Sequence, residues 1–79
     1  MRLVKAFSKA LKDVLNERGL TQYQLFKISG VPQSTISTIL SGENKTIKLS
    51  TIYSICAGLN IELSQFFDRS YLKLEQIND

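Results

Sequence analysis

Residues 21–42 read TQYQLFKISGVPQSTISTILSG, two short helical patterns separated by the break Gly30-Val31-Pro32. Thr21, followed three residues later by Gln24, is the signature of a capping box, in which hydroxyl and amide satisfy each other's orphan backbone N–H groups. Leu20 before the cap and Leu25 inside the helix suit a hydrophobic staple. Helical spacing then puts Leu25, Ile28 and Ser29 on the inward side, with Gln22 and Phe26 flanking and Tyr23 and Lys27 outward. A helix of about two turns is shorter than the roughly 12 residues an isolated helix needs in water, so packing must hold it. Gly30 is placed to stop it in the left-handed conformation, and Pro32, with its φ already set, starts the next helix.

In that second helix Ile36, Ile39 and Leu40 fall within an arc of roughly 100°, with Thr35 at its edge. Gln33, Ser34, Ser37, Thr38 and Ser41 share the opposite arc. All five form hydrogen bonds and none is charged, although Lys and Glu are better helix formers and solubilise a surface better than Ser and Thr. Two helices joined by a tight Gly-containing turn, the second with a short polar face, is the pattern of a helix-turn-helix that lays its second helix in the DNA major groove. A small helical hairpin that turns its polar side to water shares that pattern, so residue types alone leave both readings open.

Composition narrows the rest. The chain has 79 residues, 43% apolar and 22% charged, which suits one globular domain with a modest core. No apolar run has the length of a membrane span, and no hydrophobic block follows Met1-Arg2, so a cytoplasmic protein is expected. Cys56 is the one cysteine and histidine is absent. Internal disulfides, cysteine-based metal cages and His-dependent triads are thereby excluded, and neither a cofactor nor an enzymatic activity is expected. Residues 1–48 carry eight Lys and Arg against three Asp and Glu, whereas residues 49–79 carry two against four. The basic part coincides with the paired helices, the electrostatic footprint expected when phosphates are the partner.

Residues 2–18 read as an amphipathic helix, with Val4, Phe7, Leu11, Val14 and Leu15 on one stripe and Gly19 ending it. Its row Lys5, Lys9, Lys12 suits a DNA backbone or a membrane surface. The membrane option would leave the apolar stripe free, whereas that stripe is needed to cover the two short helices. Glu43 to Lys48 forms a polar loop with a turn-prone Asn44, which either holds phosphates through its lysines and backbone N–H groups or is a plain solvated connection. Residues 49–59 form a fourth helix with Leu49, Ile52, Ile55, Cys56 and Leu59 inward. Cys56 is read as a small buried hydrophobe, Gly58 as a close helix contact and Asn60 as a left-handed cap. Residues 63–67 form a short fifth helix closed by Phe66 and Phe67. In residues 70–79, Tyr71, Leu74 and Ile77 recur at helical spacing and suit either the domain itself or a partner.

With the strings LTQYQLFKISGVPQSTIS and LSTIYSICAGLNIELSQFF in this register, the sequence resembles the Cro/CI-type, or XRE-family, helix-turn-helix domain of phage and bacterial repressors, from about Leu11 to Phe67. The resemblance implies an all-α fold, a compact five-helix lambda-repressor-like domain over residues 1–69 with the helix-turn-helix at about 21–41, followed by a C-terminal extension over 70–79. It also implies roles by position. Gln33, Ser34 and Thr38 match positions that reach base edges, while Gln22, Ser37, Asn44 and Lys45 match positions near phosphates; Gln22 also braces the first side chain of the recognition helix. Two departures stand out. Where the family often pairs an arginine in the first helix with a glutamate near the end of the recognition helix, Lys12 and Leu40 stand here, so apolar packing is expected in place of an ion pair. Phe26 stands where a small alanine is usual, which is expected to change how the recognition helix is presented.

The leading expectation is therefore a sequence-specific DNA-binding transcriptional regulator, a repressor acting as a homodimer on a two-fold operator of double-stranded DNA. The alternative is an antitoxin or adaptor that uses the same scaffold to bind a protein partner through Ser70–Asp79. No membrane partner is expected.

Overall fold

The computed structural model describes residues 2–68 and residue 77. Among them the chain is all-α, with α1 (Leu3–Arg18), α2 (Gln22–Ser29), α3 (Gln33–Ser41), α4 (Leu49–Leu59) and α5 (Leu63–Phe67). The expected helices are present, and α4 and α5 begin and end where the sequence placed them. Tyr71, Leu74 and the rest of the extension lie outside the described residues apart from Ile77, which is half-buried against the core.

Helix α1 supplies nearly half of the core: Ala6, Phe7, Ala10, Leu11, Val14 and Leu15 are buried, and Ile36 and Ile39 of α3 join them with Leu25 of α2. Ile55, Cys56 and Leu59 of α4 close the opposite side, and burial pushes the Cys56 thiol pKa up, as for a small hydrophobe. Phe66 of α5 stacks on Phe7 with ring centroids 5.1 Å apart, and Phe67 lies 6.5 Å from the same ring. Asn60 takes the left-handed conformation expected of it, with φ 56°. The Arg18 guanidinium donates to the Leu59 carbonyl at the end of α4, where the helix dipole favours a cation.

Two apolar residues that their spacing puts inward are exposed. Ile28 is 46% exposed because Ser29 takes the position against α4: a Cβ added to Gly58 would stand 2.8 Å from the Ile28 carbonyl oxygen and 2.8 Å from Ser29 Cα. The two backbones meet there, and Ile28, about 100° round the helix, turns to the flank. Leu49 is 71% exposed. The buried arc of α4 is centred near Ile52 and Leu59, which leaves Leu49 at its margin beside Tyr53. Lys12 is exposed and Leu40 half-buried, so apolar burial around Leu40 is only partial; a hydrogen bond described below completes the link between α1 and α3. Phe26 is half-buried at the core margin, its ring 6.0 Å from that of Tyr23. Among the described residues no helix is long and apolar enough to cross a membrane.

Gly58→Ala tests the backbone contact between α2 and α4. The added methyl gains about 1 kcal/mol of helix propensity but meets backbone atoms that cannot rotate away, an overpacking that costs about 1–3 kcal/mol. The variant is expected to unfold at lower denaturant concentration; unchanged or higher stability would show that α2 and α4 part without cost.

Candidate nucleic-acid interface

The presentation of α3 is set by the turn that precedes it. Thr21 and Gln24 form the expected capping box, with the Gln24 N–H donating to Thr21 Oγ1 at 3.1 Å and the Thr21 N–H to Gln24 Oε1 at 2.8 Å. At the other end of α2, the Ser29 hydroxyl donates to the Leu25 carbonyl at 2.7 Å and accepts from the Val31 N–H at 3.1 Å. Gly30 adopts φ 75° and Pro32 caps α3 in extended geometry. The chain turns within these three residues, and Val31 is buried as the pin of the turn.

Ile36 and Ile39 face inward, so Gln33, Ser34, Ser37, Thr38 and Ser41 are all exposed on one continuous uncharged face. Part of its donor capacity is already committed. The Thr38 hydroxyl donates to the Ser34 carbonyl at 2.8 Å and the Ser41 hydroxyl to the Thr38 carbonyl at 2.7 Å. While those bonds stand, Thr38 offers an acceptor and a methyl group to anything that docks.

The structure brings Gln22 to the start of this face. Its Nε2 donates to the Gln33 backbone carbonyl at 3.2 Å, so it braces the first turn of α3 through the main chain and not through the Gln33 side chain. Ser34, Ser37 and Thr38 follow along α3. Lys45 stands exposed in the loop beyond its end. Asn44 is half-buried: its Nδ2 points to the Thr46 carbonyl at 3.4 Å and its Oδ1 is enclosed without a hydrogen-bond partner among the described residues. Its side chain shapes the loop from within, so the loop's outward offer is the Lys45 ammonium and the backbone.

One positioning residue was missed from the sequence. Ser8 is buried in α1 and its hydroxyl donates to the Leu40 carbonyl at 3.0 Å, fixing the last turn of α3 against α1. A signal was available: Val4, Ser8, Leu11 and Leu15 recur at i, i+4, i+7 and i+11, so Ser8 lies at the border of the apolar stripe and the lysine row. Among the described residues no group of three or more His, Cys, Asp or Glu is placed to hold a metal ion.

A model of the Cro/C1-type HTH DNA-binding domain family matches residues 10–70, more than three quarters of the chain. No curated protein and no solved structure matches the chain.

Ser8→Ala removes the only described side-chain donor to the Leu40 carbonyl, a part-buried bond, at a cost of about 0.5–1.5 kcal/mol. Chemical denaturation is expected to show that loss; a change within a few tenths of a kcal/mol would mean that water replaces the bond freely.

Proposed function

Since the chain belongs to the Cro/C1-type helix-turn-helix DNA-binding domain family, we propose that it is a sequence-specific transcriptional regulator that represses by occupying a two-fold operator as a homodimer, in the cytoplasm, with α3 in the major groove. The observation that carries this reading is the exposed, uncharged, hydrogen-bonding face of α3 held between two pinned ends. Repression needs nothing more than occupancy, which a domain of this size provides by excluding other proteins from the same duplex.

In this reading Gln33, Ser34 and Thr38 read bases. A glutamine amide pairs with the N6 and N7 edge of adenine, and a threonine methyl packs on the methyl of thymine. Ser37, Lys45, Asn44 through the loop it shapes and Gln22 at the start of α2 hold the phosphates that set the register. The face carries no arginine, so it lacks the strong bidentate pair for guanine, and operator shape takes a larger share of recognition.

Helix α4 supports the dimer. It has no charged residue, and its flank exposes Leu49 and Tyr53 to 71% and 62%. On a chain of net charge +3, an uncharged apolar flank is where two copies approach with least repulsion, and a two-fold contact requires a surface that tolerates itself.

Selection from a random duplex pool at near-physiological salt is expected to recover a palindrome with half-sites about one helical turn apart. Enrichment of no motif would sink the proposal. Gln33→Ala should weaken operator binding by about 1–3 kcal/mol and relax one base position, whereas Lys45→Ala should weaken operator and random DNA alike and lower the salt slope by about one. Tyr53→Asp places a charge on the α4 flank and is expected to abolish dimerisation, read as mass in solution and on operator DNA; an unchanged dimer would place the contact elsewhere.

A further inference from the structure

We propose that a second DNA-backbone site lies in the groove between α1 and the end of α3, where the lysines of α1 hold phosphates beyond those reached by α3 and its following loop. The inference rests on the DNA-binding reading and extends it to a groove that the end of the helix-turn-helix shares with α1.

The groove has a volume of about 340 Å³ and is walled by Lys5, Lys9, Lys12 and Asp13 on one side and Ser41 and Gly42 on the other. Three ammonium groups against one carboxylate make its lining basic. Its floor is rigid, because the Ser8 hydroxyl bonded to the Leu40 carbonyl ties the two walls together. Ser41 belongs both to the groove and to the exposed face of α3, following Ser34, Ser37 and Thr38 along the helix. A strand that lies along α3 therefore runs on into the groove without crossing an apolar barrier.

The charge pattern fits a polyanion. The last turn of α3 has no basic residue, so its terminal carbonyls would by themselves repel a phosphate. The lysines of α1 line the groove beside that end and bring to it the positive charge that α3 lacks. Lys5 and Lys12 are both exposed, at helical spacing that puts them on the same face as Lys9. A single cation suffices to complement one helix terminus, whereas a row along an open groove matches the repeat of phosphates along a strand.

The test uses the full chain carrying Lys5→Gln and Lys12→Gln together, with Lys5→Arg and Lys12→Arg together as the charge-preserving control. Binding to the selected operator and to a random duplex is measured across a salt series, and thermal unfolding is followed in parallel. The Gln variant is expected to lower the slope of log affinity against log salt by about two on both duplexes, while the ratio of operator to random affinity stays unchanged and the Arg variant keeps the wild-type slope. A wild-type slope in the Gln variant, with operator binding intact, would overturn this site and leave the DNA reading standing. A lowered melting temperature with that same unchanged slope would assign the lysines to the α3 terminus alone. Absence of DNA binding in the wild-type chain would instead overturn the reading on which the site rests.

Discussion

Helices of eight and nine residues do not persist in water by themselves, because the cost of nucleation is not recovered over so few hydrogen bonds. α2 and α3 have those lengths, so the face that α3 presents exists only while Leu25, Ile36 and Ile39 are buried by other helices. α1 and α4 supply that burial from opposite sides. Sixteen-residue α1 is long enough to be a stable platform, and its small Ala6 and Ala10 are fully buried in the core. Gly58 lets the backbone of α4 approach that of α2 at Ser29. The exposed helix is thus as rigid as the core beneath it, and recognition and folding share the same apolar residues.

Burial alone permits sliding, since apolar contacts have little directionality. Three side-chain bonds to main-chain carbonyls remove that freedom: Ser8 to Leu40, Gln22 to Gln33 and Arg18 to Leu59. Each joins helices that are distant in sequence or separated by a turn, and each acceptor lies in the first or last turns of a helix. The first two bracket α3 at its start and its end. A helix fixed at both ends holds its side chains in one register against a rigid partner, which is what reading a base edge requires.

Most of this architecture was legible because it is written in strong local signals. Thr21 with Gln24, Gly30 with Pro32 and Asn60 after Leu59 each have few conformations to choose from, and the structure has them as spacing implies. What escaped was rotation about a helix axis at the margins of a stripe. Ile28 and Leu49 lie on the apolar side by period but outside the contact made by the neighbouring helix, and Ser8 lies inside one although its residue type reads as surface. Such margins are decided by where two helices cross, which depends on Gly58 and on the α1–α3 link and not on the residue's own character. The outward position of Gln33, Ser34, Ser37 and Thr38 was legible for the opposite reason: they stand at the centre of the polar arc, where a modest rotation changes nothing. Asn44 was harder to read, since a loop asparagine can turn inward or outward and only the closed loop selects.

The hydroxyl commitments on α3 refine the proposed recognition in a way that residue types do not reach. A threonine in solution donates or accepts equally well, but Thr38 donates to its own helix and is left to accept. An acceptor on the major-groove floor meets the amino group of adenine or cytosine, and the Thr38 methyl favours a neighbouring thymine. Gln33, at the start of the face, has both functions and suits adenine. Weak single pairs of this kind discriminate less than an arginine on guanine, so in the proposed complex affinity comes chiefly from phosphates, and a face of short side chains lets the helix sit close to the groove floor while the basic groups around its C-terminal end bear that load. In the proposed complex the division of labour follows from side-chain length: short uncharged residues at the centre suit base edges, and long cations at the periphery suit the backbone.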